Sequence, residues 1–567
     1  MNKNINILIA KALDKLGYDK GEIDSVNIEV NRTSDNTHGD FYTNIAMKLA
    51  KILRKKPIII AQDILNGIES DETIEKVEVA PPGYINFFLS NENKYQVINE
   101  ILDNKDIYTK KIEKSKKVHV EYVSANPTGP LHVGHGRGMI LGEITAKFLS
   151  LQGYEVIREY YVNDAGRQID LLLVSVFLQY IEKSSHIFID EKNSEDGRLF
   201  TYKGNYINEI SISLKDKLNI YKKKDILNFL EKPIDSLITY LKNHPNYFET
   251  RYALVEEIIN KYIKKDLSAV NIVFDSWFFE SQLYKTGLLN EVLSIINDKK
   301  LSYKKDGALW FKNSSFGEEK DRVLIKNNGD MTYFATDIAY HIHKFKKYDL
   351  LIDIWGADHH DYAIRLQTAL NALGFDVKNR LQIHLVQFAN LLKSGKSISM
   401  STRSGTFLPI QDLVRDIGED ATKFFYLTKK KDHHLEFDID EAKEKNKNNA
   451  IYYIQYAHAR ITKILGDFDE KKSLQEDFNQ LNEKNELNIL ELINRYHETF
   501  NKAIEEVRPD LITNYLYQLS KSFHSYYADT KILTSMVKME RIKLIRCIDK
   551  IIINGLSTLN IKPMDSM

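Results

Sequence analysis

Residues 121–138 read Glu-Tyr-Val-Ser-Ala-Asn-Pro-Thr-Gly-Pro-Leu-His-Val-Gly-His-Gly-Arg-Gly, and their reading decides the fold. The alternating apolar segment Val118 to Val123 just before them predicts a strand. A turn rich in Pro and Gly follows, and apolar residues at helical spacing predict a helix from near Gly136. A strand, a tight turn and a helix form the corner at which α/β proteins hold phosphates. Backbone N–H groups and the positive end of the helix dipole face the crevice beyond the strand's carboxyl end. His132 and His135 flank Gly134 at this corner. Without a Cβ at Gly134 a flat base can lie against the main chain. Two imidazoles can donate hydrogen bonds to phosphate oxygens as charge builds there. His-x-Gly-His alone reads equally as two polar residues capping a helix. A second polar loop, Ser399-Met400-Ser401-Thr402-Arg403-Ser404-Gly405, with Lys393 and Lys396 just before it, strengthens the nucleotide reading.

Bulk properties narrow the classes. A chain of 567 residues exceeds one core and predicts three or four domains. Lys+Arg and Asp+Glu both number 79, which argues against a globally basic nucleic-acid binder and leaves room for local basic surfaces. Cys547 is the single cysteine, so the chain can form no internal disulfide and no cysteine zinc cluster, and a reducing cytoplasm fits. No run of 18 apolar residues occurs, so no membrane-spanning helix is expected. The helix predicted over Ile5 to Leu16 carries Lys11, Asp14 and Lys15 and is no signal peptide.

Residues 1–112 read as an α+β domain. Helical periodicity runs through Ile5–Leu16, Ala46–Leu53 and Ile60–Ile68, and strands are expected at Ile74–Val79 and Ile85–Leu89 around Pro81-Pro82-Gly83. Lys110 to Lys117 is a charged linker. From 113 to 439 the pattern is strand, helix, strand (Glu155–Val162), helix, a βαβ unit of an α/β Rossmann-like core with a parallel sheet. A lysine-rich helical insertion is expected at about 176–300, followed by strands at Leu350–Trp355 and Ile383–Phe388 around the helix Ala363–Leu373. Residues 440–567 read as all-helical, with Ile451, Ile454, Ala457, His458 and Ile461 at helical spacing and a helix starting at Pro509.

Several stretches in this order resemble the arginyl-tRNA synthetases of bacterial type, a family of class I aminoacyl-tRNA synthetases. They are Thr37-His38-Gly39-Asp40-Phe41, Ala80-Pro81-Pro82-Gly83-Tyr84, the Glu121–His135 stretch, Tyr161-Val162-Asn163-Asp164, Thr332-Tyr333-Phe334-Ala335-Thr336-Asp337, Gly356-Ala357-Asp358-His359-His360 and Tyr452 to Arg460. The resemblance covers nearly the whole chain. It implies a multidomain protein with an N-terminal domain against the outer corner of tRNA, a catalytic core and a C-terminal helical anticodon-binding bundle. It further implies activation of L-arginine by ATP, with Mg²⁺ carried by the phosphates, and transfer of the arginyl group to tRNA(Arg). A cytoplasmic monomer that activates arginine only with tRNA bound, and that has no editing domain, goes with it.

The resemblance also carries residue roles. His132 and His135 would stabilise the α-phosphate; Gly134, Asp358, Met400 and Ser401 would bind ATP; Glu121, Asn126, Tyr333, Asp337 and His360 would line the arginine pocket. The pocket chemistry is sensible, because a guanidinium has five donors in a plane and carboxylates accept bidentately. Tyr333 and Asp337 stand four apart and share a face if helical. Read without the resemblance, Tyr333 is a core residue, Asp337 a solvated one and Asp358 a helix N-cap. His359-His360 suggests no metal site, since adjacent histidines diverge and a third ligand is missing. The second loop departs from the class pattern: Ser399 and Thr402 occupy both lysine positions, and the position of a compensating lysine is Gly129. Lys396 and Arg403 are the nearest cations for the leaving pyrophosphate. In the helical tail Tyr456, His458 and Arg460 offer stacking and charge to tRNA. Three other readings compete: a class I synthetase for another amino acid, against which the single cysteine and the acidic residues Glu121 and Asp337 count; a small nucleotidyltransferase, which would leave the tail without a role; and a non-catalytic RNA-binding paralogue.

Overall fold

The structure, a computed structural model, describes residues 2–17, 26–33, 36–103, 116–185, 202–229, 232–398, 400–401, 406–466, 481–534 and 537–567. They pack as two compact units. The larger joins Ile107–Ala459, His497–Gln518 and Ile552–Met567; the smaller joins Met1–Asp106, Arg460–Tyr496 and Leu519–Ile551.

The larger unit is built on a wholly parallel five-stranded sheet. Its strands in chain order are β1 (Lys117–Glu121), β2 (Glu155–Val162), β3 (Ser276–Phe279), β4 (Leu350–Gly356) and β5 (Leu381–Val386). Side by side they run β5-β4-β1-β2-β3. Residues such as Val118, Val120, Leu351 and Ile352 are buried in consecutive or alternate positions, as strands covered on both faces require. The chain builds β1, β2 and β3 to one side and then returns to lay β4 on the other flank of β1. The switch point between β1 and β4 opens a crevice beyond their carboxyl ends. Tyr161, Phe278, Ile338, Leu351 and Leu370 belong to one core that covers this sheet.

Two expectations need correction. The helix after β1 spans Val133–Leu151, so it starts three residues before the apolar periodicity does, and His132 is its cap. The range 176–300 is not helical throughout, because Ser276–Phe279 pairs parallel with β2 as the sheet's edge strand. Four residues are too few to show a period between two helical stretches. The helical part of the insertion includes Asn205–Ser213, Ile234–Lys242 and Tyr247–Ile258; the last continues through a π-helical turn, Ile259–Ile263, into Lys264–Ser268. A three-stranded antiparallel sheet, Ser302–Lys305, Ala308–Phe311 and Arg322–Ile325, also escaped the sequence reading.

The smaller unit holds a four-stranded antiparallel sheet in the order Val30–Arg32, Phe41–Thr43, Tyr84–Leu89, Ile74–Ala80. Helices Asn2–Lys15, Ile45–Leu53 and Pro57–Gly67 bury Ile9, Leu49 and Ile64 with Phe41 and Phe87. The helix Asn91–Asp103 packs on Lys484–Asn494 from the far end of the chain. The Tyr95 hydroxyl donates to the Leu481 carbonyl at 2.7 Å, Asn494 Nδ2 to the Lys94 carbonyl at 3.0 Å and Lys550 Nζ to the Leu102 carbonyl at 2.7 Å. No helix among the described residues is long and apolar enough to cross a membrane.

Candidate active site

The corner after β1 is closed on itself. His132 Nδ1 accepts the Gly134 N–H at 3.1 Å, and His135 Nδ1 accepts the His132 N–H at 3.2 Å, a capping box made by two histidines. Their rings stack with centroids 3.9 Å apart. The His135 N–H donates to the His132 carbonyl at 2.9 Å and the Val133 N–H to the Leu408 carbonyl at 3.0 Å. Main-chain N–H groups were expected to face a phosphate here. Those of Val133, Gly134 and His135 all have internal partners instead: the Leu408 carbonyl, the His132 side chain and the His132 carbonyl. An imidazole whose Nδ1 accepts a main-chain N–H carries its proton on Nε2. Burial lowers the pKa of His132; burial, then the neighbouring His132, brings His135 down to about 3. Both rings are neutral near pH 7 and present Nε2–H donors. They line a cavity with Ala125, Asn126, Gly129, Gln168 and Tyr202, in which Asn126 Nδ2 donates to Gln168 Oε1 at 2.9 Å.

Close packing holds this helix. A Cβ on Gly136 would stand 2.5 Å from the Tyr426 ring, and one on Gly142 2.3 Å from Tyr122. The Tyr426 hydroxyl donates to the Val133 carbonyl at 2.8 Å. Arg137, buried, donates to the carbonyls of Gln387 at 2.8 Å, His433 at 2.7 Å and Lys430 at 2.9 Å.

A second group of acidic side chains centres on Glu280 and Asp337. Asp337, one turn into the helix Tyr333–Lys347, accepts from the Tyr362 hydroxyl, and burial raises its pKa to about 6. Glu280 follows β3 directly and is 3% exposed; burial, then the charge of Asp337, raises its pKa to about 7. Buried Glu280 is paired with the buried Tyr161 hydroxyl, whose hydrogen bond favours the carboxylate but does not offset its burial. The nearest cations are engaged. Arg251 pairs with Asp170 at 2.9 Å and donates to the Gly166 carbonyl at 3.0 Å. Lys344 pairs with Glu121 at 2.9 Å and Asp353 at 2.8 Å. Two carboxyls of raised pKa with no ion pair to either among the described residues fit a ligand that brings its own cation and several donors. Glu280 was missed from sequence: Phe278-Phe279-Glu280 carries no spacing signal, and the segment lies inside the range read as helical.

The other candidates divide. Tyr333 is 56% exposed at the first turn of its helix, with its hydroxyl 3.0 Å from where a Gly166 Cβ would stand. It is therefore no core residue, and half-buried Asp337, bonded by the Tyr362 hydroxyl, is no freely solvated one. Glu121 ends β1 but faces inward. Lys344, Asp353 and His341 continue from it as a buried chain, with His341 Nε2 2.8 Å from Asp353. Although burial opposes it, Lys344 is held above its ordinary pKa by Asp353 and Glu121. Asp353 is held well below its own, against burial, by Lys344 and His341. Asp358 is exposed in the turn after β4 and caps no helix, since His359 holds the cap position of His360–Ala372 without a side-chain bond. His360 is exposed and stands 3.1 Å from Asp361.

In the second loop, Met400-Ser401 pairs antiparallel with Thr406-Phe407, and the Phe407 ring lies 6.0 Å from that of His132. Lys396 is exposed opposite Lys393. Arg403 lies outside the described residues. In the helix Ala450–Gly466, Tyr456 is half-buried and stacks on Tyr452 with centroids 6.0 Å apart. His458 is not on the surface as expected: it is buried beside the apolar stripe and stands 3.1 Å from Asp565. The Arg460 guanidinium sits over the Tyr527 ring at 4.5 Å and bonds His524 at 3.3 Å. Among the described residues no three His, Cys, Asp or Glu side chains gather as a metal cage.

Comparison with known proteins gives a consistent result. The family model for tRNA synthetases class I (R), catalytic domain, matches residues 97–468. That of the DALR anticodon binding domain matches 454–567, and that of the arginyl tRNA synthetase N terminal domain matches 3–89. The arginine–tRNA ligase of Thioalkalivibrio sulfidiphilus is 38% identical over 596 residues, covering 100% of both chains. That of Coxiella burnetii is 39% identical over 599 residues, again covering 100% of both. The solved arginyl-tRNA synthetase of Thermus thermophilus, 21% identical, shares the fold with a TM-score of 0.70 and 100% coverage of both chains. With relatives this similar along its full length, and a catalytic-domain match over most of its residues, the chain belongs to the class I (R) tRNA synthetases.

Proposed function

We propose that this chain is an arginine–tRNA ligase. It joins L-arginine to ATP as arginyl-adenylate, releasing pyrophosphate, and transfers the arginyl group to the 3′-terminal ribose of tRNA(Arg). The observation that carries the specificity is the pair of buried Glu280 and half-buried Asp337, two carboxyls with no ion pair among the described residues and both with raised pKa. A guanidinium bonded to both supplies the missing positive charge and keeps both ionised. Lysine offers a point charge with fewer donors, so the site leaves acceptors unpaired and rejects it without editing.

In the first step a carboxylate oxygen of arginine attacks the α-phosphorus, and the bond from that phosphorus to the bridging oxygen of pyrophosphate breaks. The His132 and His135 Nε2–H groups donate to the oxygens where charge develops, and the catalysis is positioning and electrostatics. Gly134 fixes the His132 ring through its N–H. Asp358, exposed beyond β4, accepts from the ribose hydroxyls. Met400 and Ser401 close over ATP, and Lys396 or Arg403 meets the leaving pyrophosphate. Asn126 and Gln168 border the reacting end. Tyr333 covers the guanidinium end, and His360 stands at its rim. Glu121 acts through Lys344 and shapes the pocket without touching arginine. Mg²⁺ would be carried on the phosphates of ATP, where it would neutralise their charge, and would need few protein ligands. In the second step the ribose hydroxyl attacks the arginyl carbonyl and AMP leaves.

For tRNA we assign Tyr456 as a stacking surface. His458 and Arg460 support the helix from within. The functional division follows 1–112, 113–439 and 440–567, in a cytoplasmic monomer. Pyrophosphate exchange with ATP and each of the twenty amino acids, with and without total tRNA, tests the reading. Exchange with arginine alone is expected, and only when tRNA is present. Exchange with another amino acid, or none from a folded sample that binds tRNA, overturns it.

A further inference from the structure

The helical insertion reaches the signature corner through one side chain. Asp266 is 0% exposed and lies in Lys264–Ser268, just after the π-helical turn. Its Oδ2 accepts the Leu131 N–H at 2.7 Å and its Oδ1 accepts Gln411 Nε2–H at 2.6 Å. Leu131 directly precedes His132, and its carbonyl accepts the Ile410 N–H at 3.0 Å. The residue that leads into His132 is thus held on both sides, from the insertion through its N–H and from the helix Ile410–Ile417 through its carbonyl. His132 has no freedom left, since its N–H donates to His135 and its Nδ1 accepts from Gly134. A π turn shifts the register of every side chain after it, and such turns re-aim residues at functional sites. Burial raises the pKa of Asp266 to about 6, so the fold keeps this carboxylate at an electrostatic cost that an apolar residue would not carry.

We propose that Asp266 is a positioning residue for adenylate formation: from the helical insertion it fixes the peptide entering His132 and thereby the aim of both Nε2–H donors. The proposal rests on the reading of His132 and His135 as donors to the α-phosphate. It gives the insertion a part in the chemistry, although Asp266 touches neither ATP nor arginine.

Pyrophosphate exchange by full-length Asp266→Ala, Asp266→Asn and His135→Ala, with the melting temperature of each, tests it. Asp266→Ala is expected to lower kcat about 10²-fold, the scale of a misplacement near 1 Å, with the arginine KM unchanged. Asp266→Asn keeps an oxygen for the Leu131 N–H and is expected to recover most of that loss. The proposal is overturned if Asp266→Ala melts lower yet keeps its kcat. It is equally overturned if the arginine KM moves in step with kcat, or if Asp266→Asn, as stable as the parent, is as slow as Asp266→Ala. Should Asp266→Ala fail to fold, Gln411→Ala replaces it: a fall in kcat at constant arginine KM supports the proposal, and an unchanged kcat overturns it. His135→Ala separates the two levels. If it is slow while Asp266→Ala is not, only the positioning role falls; if it runs at the parent rate, the reading of the signature histidines falls first.

Discussion

Glu280 and Asp337 bind protons more tightly in the fold than in the unfolded chain, because burial penalises ionisation of both, with the charge of Asp337 adding to it at Glu280 and that of Glu121 at Asp337. Their ordinary values of 4.5 and 3.8 rise to about 7 and about 6, so the folded state holds more protons in that window and loses stability as pH rises through it. A bound guanidinium reverses that loss. The shift in melting temperature caused by arginine is therefore expected to be larger at pH 8 than at pH 5.5, and the arginine KM to rise as pH falls below about 7. An arginine thermal shift that is equal at both pH values would remove the pair from the pocket. Glu280→Gln and Asp337→Ala should each weaken arginine by about 2–5 kcal/mol, the usual cost of breaking a buried charge pair, and should leave the ATP KM in place. Steady-state kinetics in both substrates reads this directly. His135→Ala should slow adenylation about 10²-fold, as loss of a transition-state donor does, and no histidine limb should appear near pH 6.5, since His135 titrates at about 3. Tyr333 and Asp337 were singled out in the sequence through the resemblance of Thr332–Asp337, not through their spacing of four. Glu280 was not, for the side chain that completes the pair comes from another strand with no local pattern to mark it.

At the scale of elements, the helix Val133–Leu151 is defined as much by what it lacks as by what it carries. Gly136→Ala and Gly142→Ala would press a Cβ to 2.5 Å from Tyr426 and 2.3 Å from Tyr122. Overpacking of this kind costs about 1–3 kcal/mol, and urea unfolding should show it. The buried chain of Glu121, Lys344, Asp353 and His341 makes a stronger claim. Lys344→Met leaves two carboxylates without their cation and should destabilise the larger unit by about 3–5 kcal/mol, again read by urea. Strong periodicity made most of the core legible, and β2 appears over the predicted residues. The helix start was read late because polar His132 and His135 hide its first turn. The main-chain N–H groups expected to face a phosphate here donate within the fold, to the His132 and His135 rings and to the Leu408 and His132 carbonyls.

At the scale of the whole molecule, distant parts of the chain meet in the smaller unit, which joins Met1–Asp106 to Arg460–Tyr496 and Leu519–Ile551. The hydrogen bonds from Tyr95, Asn494 and Lys550 tie Asn91–Asp103 to segments 386 to 448 residues away. A fragment covering 440–567 is therefore expected to stay unfolded alone and to gain helical circular dichroism when residues 1–106 are added. A fully folded isolated fragment would contradict it. No sequence period announces such a pairing, because it is made between elements that each look complete.

The place of β3 has a last consequence, for the order in which the protein assembles. β2 ends at Val162 and its neighbour begins at Ser276, so the edge of the sheet is sealed only after the whole intervening stretch has been synthesised and collapsed. Until then the flank of β2 is an open edge, a template for pairing with another nascent chain. Closure entropy grows only with the logarithm of loop length, about 0.6 kcal/mol for each doubling. The insertion can therefore lengthen or shorten at little thermodynamic expense, while the time that edge stays open, and with it the risk of aggregation at the ribosome, grows with every residue added.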